Sequence, residues 1–72
     1  MKNEINVVIK LSDVELEVVK DMADGLSARE IAEKRGSALK TIEVHRYNIL
    51  KKTGCKNAVH LIATFFRKGL IK

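Results

Sequence analysis

An all-α fold is what this sequence predicts: four short helices packed as a small bundle behind a short extended N-terminal arm. Three observations carry it. Two serines are each followed three residues later by a glutamate, Ser12 with Glu15 and Ser27 with Glu30, the reciprocal cap that starts a helix. All four glycines, Gly25, Gly36, Gly54 and Gly69, close runs of helical apolar spacing, where the chain needs a residue that turns left-handed without strain. Proline is absent and aromatics make up 4% of a chain that is 46% hydrophobic, so the connections are short and the core is aliphatic.

Residues 1–10 hold Ile5, Val7, Val8 and Ile9 with no helix start signal, and β-branched residues favour an extended arm. That arm either lies over the core, pairs with another copy, or is the remnant of a linker. Residues 11–72 form the folded domain. The first helix is expected over residues 11–22, started by Ser12 and Glu15 and stapled by Leu11 against Leu16, with Val14, Val18, Val19 and Met22 facing inward. Asp24 and Gly25 end it. The second is expected over residues 28–35, with Leu26 and Ile31 as its staple, Ile31 and Ala32 facing inward, and Gly36 as its stop.

Ser37 is the expected cap of a third helix over residues 38–53. At about 100° per residue, Ile42, Ile49 and the edge of His45 fall on one face, and Lys40, Val44, Tyr47 and Lys51 on the other. Lysines suit phosphates, and a ring and a methyl pair suit base edges and thymine methyls. Taken alone the outer face fits a solvated surface with one stray tyrosine equally well. A fourth helix is expected over residues 58–68, capped by Asn57. It carries one apolar stripe of Ala58, Leu61, Ile62 and Phe65 and a second of Val59, Ala63 and Phe66, too much for the edge of a tiny core. The second stripe is either a homodimer seam or the surface that the arm covers.

Charge separates the function classes. Residues 1–36 carry six Lys and Arg against eight Asp and Glu, a net of −2, whereas residues 37–72 carry eight against one, a net of +7. One end of a small domain is therefore basic, the footprint expected of a nucleic-acid binder. No apolar run is long enough for a membrane span and no leader is apparent, which places the chain in the cytoplasm with the nucleoid. A lone cysteine, Cys55, forms no internal disulfide and is expected to be a half-buried apolar side chain. His45, His60 and Cys55 show neither a nucleophile–base pattern nor metal-ligand spacing, so no catalytic residue, metal or cofactor is expected, nor a small-molecule ligand within so short a chain.

A short helix, a Gly-Ser turn and a longer helix with a lysine-flanked outer face follow one another directly, which is the helix-turn-helix plan. The chain resembles the LuxR-type, or GerE-like, DNA-binding domain. The resemblance spans residues 11–71 and rests on LSDVE with Glu15, on GLSAREIA at 25–32, on KTIEVHRYNILKKTG at 40–54, and on GLI at 69–71. It implies a four-helix bundle-like helix-turn-helix domain whose third helix reads the major groove of double-stranded DNA and whose fourth forms a homodimer contact through Val59, Ala63 and Phe66. Base-reading positions map to Glu43, Val44 and Tyr47. Contacts to the DNA backbone map to Lys40, Thr41, Asn48, Lys51 and Lys52, with Arg46 among them, and to Ser27 and Arg29 on the second helix. The expected function is a transcription regulator, with RNA polymerase as a candidate further partner. The alternative is a protein-interaction module on the same fold.

This chain departs from the family at several positions. Glu43 stands where a cation is frequent and is the one acid after residue 36. It either accepts from a cytosine amino group in the groove or pairs with Arg46 or Tyr47 and steers them. Thr53 replaces a usual leucine and Ala58 a frequent arginine. Phe65 is larger than the usual alanine, and is expected to fill the space that small neighbours leave.

Overall fold

The computed structural model describes residues 11–71, and in it four helices follow in order: α1 (Asp13–Ala23), α2 (Ala28–Arg35), α3 (Leu39–Thr53) and α4 (Ala58–Arg67). Among the described residues there is no strand. The arm expected over residues 1–10 lies outside them.

Both expected capping boxes form. At α1, Ser12 Oγ accepts from the Glu15 amide at 3.1 Å while Glu15 Oε1 accepts from the Ser12 amide at 2.9 Å. At α2 the Ser27 and Glu30 exchange measures 3.2 and 2.8 Å. Each box satisfies two donors that the first helical turn would otherwise leave open.

The turn into α3 departs from expectation by one residue. Gly36 sits at φ +66°, and the amide of Ser37 donates back to the Ala32 carbonyl at 2.9 Å, closing α2. The first bonds of α3 run from the Thr41 and Ile42 amides to the Ala38 carbonyl, so Ser37 lies one residue before the cap position. The N-cap of α3 is Ala38, which has no side chain able to bond the free amides.

α4 starts with the expected cap and a second bond beside it. Asn57 Oδ1 accepts from the His60 amide at 2.9 Å, as expected, and His60 Nδ1 accepts from the Lys56 amide at 3.0 Å. At its other end the Leu70 amide reaches back to the Phe65 carbonyl at 2.9 Å, turning the chain so that Ile71 packs into the core.

Each helix gives the core one pair of side chains: Val18 and Val19, Ile31 and Ala32, Ile42 and Ile49, and Leu61 and Phe65, with Leu11 and Ile71 closing the ends. Phe65 is fully buried, as its size against small neighbours led us to expect. α3 packs on all three other helices, so its outward face is held by the whole domain. Thr53, at the end of α3, donates its hydroxyl to the Leu50 carbonyl and accepts from the Cys55 amide, both at 3.3 Å, and Cys55 is half-buried against the core.

One inward assignment on α1 is corrected. Val14 is exposed, and the buried stripe runs Leu11, Glu15, Val18 and Val19. The sequence pattern favours a valine over a neighbouring glutamate for the inside, but here the glutamate is the buried one, 4% exposed, because its carboxylate is fully partnered.

Candidate nucleic-acid interface

Two buried carboxylates on α1 fix the helix-turn-helix unit. Glu15, besides closing its capping box, accepts from Lys52 Nζ at 2.8 and 3.0 Å and so ties the start of α1 to the end of α3. Asp21, 2% exposed, accepts from Lys34 Nζ at 2.6 Å and Arg35 Nε at 2.8 Å, and so holds the last turn of α2. Arg35 also reaches Glu17 at 3.6 Å. Cations at that end also suit the negative pole of the helix dipole.

Burial by itself would raise both carboxyls. For Asp21 the hydrogen bonds and charges of Lys34 and Arg35 outweigh it, and the group is held below its ordinary 3.8. For Glu15 the hydrogen bond from Lys52, the Ser12 amide and the lysine charge do the same, and it is held below 4.5.

With its inner side fixed, α3 turns Lys40, Glu43, Val44, Tyr47 and Lys51 outward, all exposed. Tyr47 is 61% exposed and carries the Lys51 ammonium 5.6 Å from its ring centroid, a cation–π contact on the outer face of the helix. Thr41 is exposed and Asn48 half-buried on the flank of this face. Ser27 and Arg29 are exposed at the first turn of α2. The Ser27 hydroxyl only accepts in its capping box, which leaves its proton to give.

Two expected contact residues sit elsewhere. Lys52, named with the phosphate contacts, spends its ammonium on Glu15. Arg46 is half-buried near the core side of α3, where it lines an apolar depression of about 460 Å³ with Met22, Leu26, Ala58, Val59 and Ile62. The second α4 stripe remains open: Val59 is 80% and Phe66 61% exposed, with Ala63 half-buried between them.

No three His, Cys, Asp or Glu side chains among the described residues converge on a point that could hold a metal ion. None of the described helices is long and apolar enough to cross a membrane.

A short helix, a left-handed glycine turn and a longer helix with a solvent-facing mixed surface, all clamped to a first helix, define a helix-turn-helix domain. Residues 10–65 match the family described as GerE, bacterial regulatory proteins of the luxR family. The chain is 38% identical over 61 residues to the uncharacterized response regulatory protein YgeK of Escherichia coli K12, covering 85% of this chain and 42% of that protein. It is 45% identical over 47 residues to DctR of Rhodobacter capsulatus, named a C4-dicarboxylate transport transcriptional regulatory protein, covering 65% of this chain and 24% of DctR. To the transcriptional regulatory protein UhpA of Salmonella typhimurium it is 39% identical over 56 residues, covering 78% of this chain and 29% of UhpA. The chain belongs to the luxR family of bacterial regulatory proteins. It spans less than half the length of each of these relatives.

Proposed function

We propose that this domain binds double-stranded DNA as the reading part of a transcription regulator, with α3 in the major groove. The observation that carries it is the outer face of α3, where Lys40 and Lys51 flank Val44 and Tyr47 on a helix whose opposite side is held by the whole core. Lys40, Thr41, Asn48 and Lys51 meet phosphates on either side of the groove, and Glu43, Val44 and Tyr47 meet base edges. Ser27 donates its hydroxyl and Arg29 its guanidinium to the backbone of the strand that α2 crosses. Support comes also from the start of α3: Ala38 leaves the first amides without a side-chain partner, and such amides donate well to a phosphate. Lys52 acts as a brace through Glu15, and Arg46 stands beside α4, away from the lysine-flanked face.

Binding to a pool of randomised duplexes tests this first, and enrichment of one sequence is the expected result. Changing Lys51 to alanine removes one phosphate contact and exposes more of the Tyr47 ring. Affinity for the selected duplex is expected to fall at low salt, and the slope of log affinity against log salt to drop by about one. An unchanged slope places Lys51 away from the DNA and overturns the docking of α3.

Val59, Ala63 and Phe66 form a homodimer contact on DNA in this proposal, since a stripe so exposed and apolar is stabilised by a second copy. Phe66→Glu is then expected to leave the thermal midpoint nearly unchanged while a two-half-site duplex binds one copy in place of two. Analytical ultracentrifugation of the complex reads the difference, and two copies bound by the variant would remove α4 from the contact. The same proposal makes RNA polymerase a second macromolecular partner and sets the domain on chromosomal DNA in the cytoplasm.

A further inference from the structure

Glu43 differs in kind from everything else on the α3 face. It is exposed, and its carboxylate makes no hydrogen bond or ion pair among the described residues. Three side chains stand close enough along the helix to neutralise it. Lys40, three residues before, does not pair with it. Arg46, three residues after, lines the depression beside α4, and Tyr47, four residues after, is engaged by Lys51. The steering role that a paired Glu43 would serve is therefore not the one this structure supports. What remains is an open acid between the residues assigned to base edges, on the half of the chain whose other charges are all positive.

An acid brought among phosphates is repelled over every sequence unless something in the groove donates to it. Carboxylate oxygens only accept. Guanine presents two acceptors in the major groove, thymine an acceptor beside a methyl group, and adenine a donor beside an acceptor; cytosine alone presents a donor with no acceptor of its own. We infer that Glu43 reads cytosine, its carboxylate accepting from the exocyclic 4-amino group, and that it excludes guanine and thymine from that position. This rests on the docking of α3 in the major groove proposed above. A discrimination of about tenfold to a hundredfold against the other bases at that one position is expected.

The test compares the unaltered protein with Glu43→Gln and Glu43→Lys, each used to select from the same pool of randomised duplexes. Because Glu43 has no partner within the protein, both variants are expected to fold, which circular dichroism verifies. The unaltered protein is expected to fix cytosine at one position of its site. Glutamine pairs with adenine and lysine with guanine, so preference there is expected to move to adenine and to guanine while the rest of the site stays as it was. Variants that keep the same base at that position overturn the inference. So does a uniform gain in affinity with no change in preference, which would make Glu43 a source of repulsion only. A site selected by the unaltered protein with no fixed cytosine refutes the assignment of Glu43 alone. A folded protein that selects no duplex refutes the docking of α3, and the cytosine contact with it.

Discussion

Replacing Phe65 with alanine is expected to cost the domain about 3–5 kcal/mol, since a fully buried ring leaves a cavity that the surrounding core cannot close. The consequence is severe in a chain of this length. At ~0.05–0.15 kcal/mol per residue the whole fold is stabilised by roughly 4–11 kcal/mol, so the variant is marginal or unfolded at 37 °C. Phe65 touches the core from the one helix that supplies the open Val59 and Phe66 stripe, and Val59 gives the matching control. Val59→Ala, at an exposed site, is expected to stay within about 0.5 kcal/mol of the unaltered protein. Urea denaturation followed by circular dichroism measures both. A loss below about 1 kcal/mol for Phe65→Ala would mean that the ring is not the keystone of the bundle.

Asp21→Asn is expected to destabilise by about 2–3 kcal/mol at neutral pH. The buried carboxylate accepts from two cations, and an amide can satisfy one of them at most while its own NH₂ faces the other. The cost stays below that of stranding a buried charge, because Lys34 is half-exposed and can rehydrate. Acid reads the same contacts. A carboxyl held below its ordinary value contributes stability that is present above that value and is lost as pH falls through the lowered one. For Asp21 and Glu15 the loss therefore begins near their ordinary 3.8 and 4.5 and continues below them. The unaltered protein is expected to lose stability steeply on going from pH 5 toward pH 2, and Asp21→Asn to show a shallower fall over the same range. Parallel curves for the two proteins would show that Asp21 is not held low.

The helix starts were legible in the sequence because a capping box is local: donor and acceptor lie three residues apart and must meet if a helix forms. The outward face of α3 was legible for a related reason, since its period of 3.6 separates Ile42 and Ile49 from Lys40, Val44, Tyr47 and Lys51 whatever packs behind it. The two buried acids were not. Whether Glu15 or Asp21 can leave water depends on Lys52, Lys34 and Arg35, which lie 37, 13 and 14 residues away, and no local pattern encodes a partner at that distance. Val14 was placed inside for want of that information. Ser37 fits a cap by type, but the left-handed turn at Gly36 sets the first α3 bonds on the Ala38 carbonyl, so the serine falls one residue short of the cap position. His60 had a signal available: it stands three residues after Asn57, where a side-chain acceptor reaches back across the first turn.

The bond from Lys52 to Glu15 makes two distant helix ends a single mechanical element. The C-terminal turn of an isolated helix frays, and a helix that must order itself on a duplex surrenders that freedom at the moment of binding. In α3 the last turn is fastened to the first turn of α1, so its freedom is already given up when the domain folds. On the docking proposed above, the helix meets a duplex preassembled. That same fastening sets one cation of the basic half against an acid, so the domain trades a little of its positive field for an α3 whose last turn is fastened.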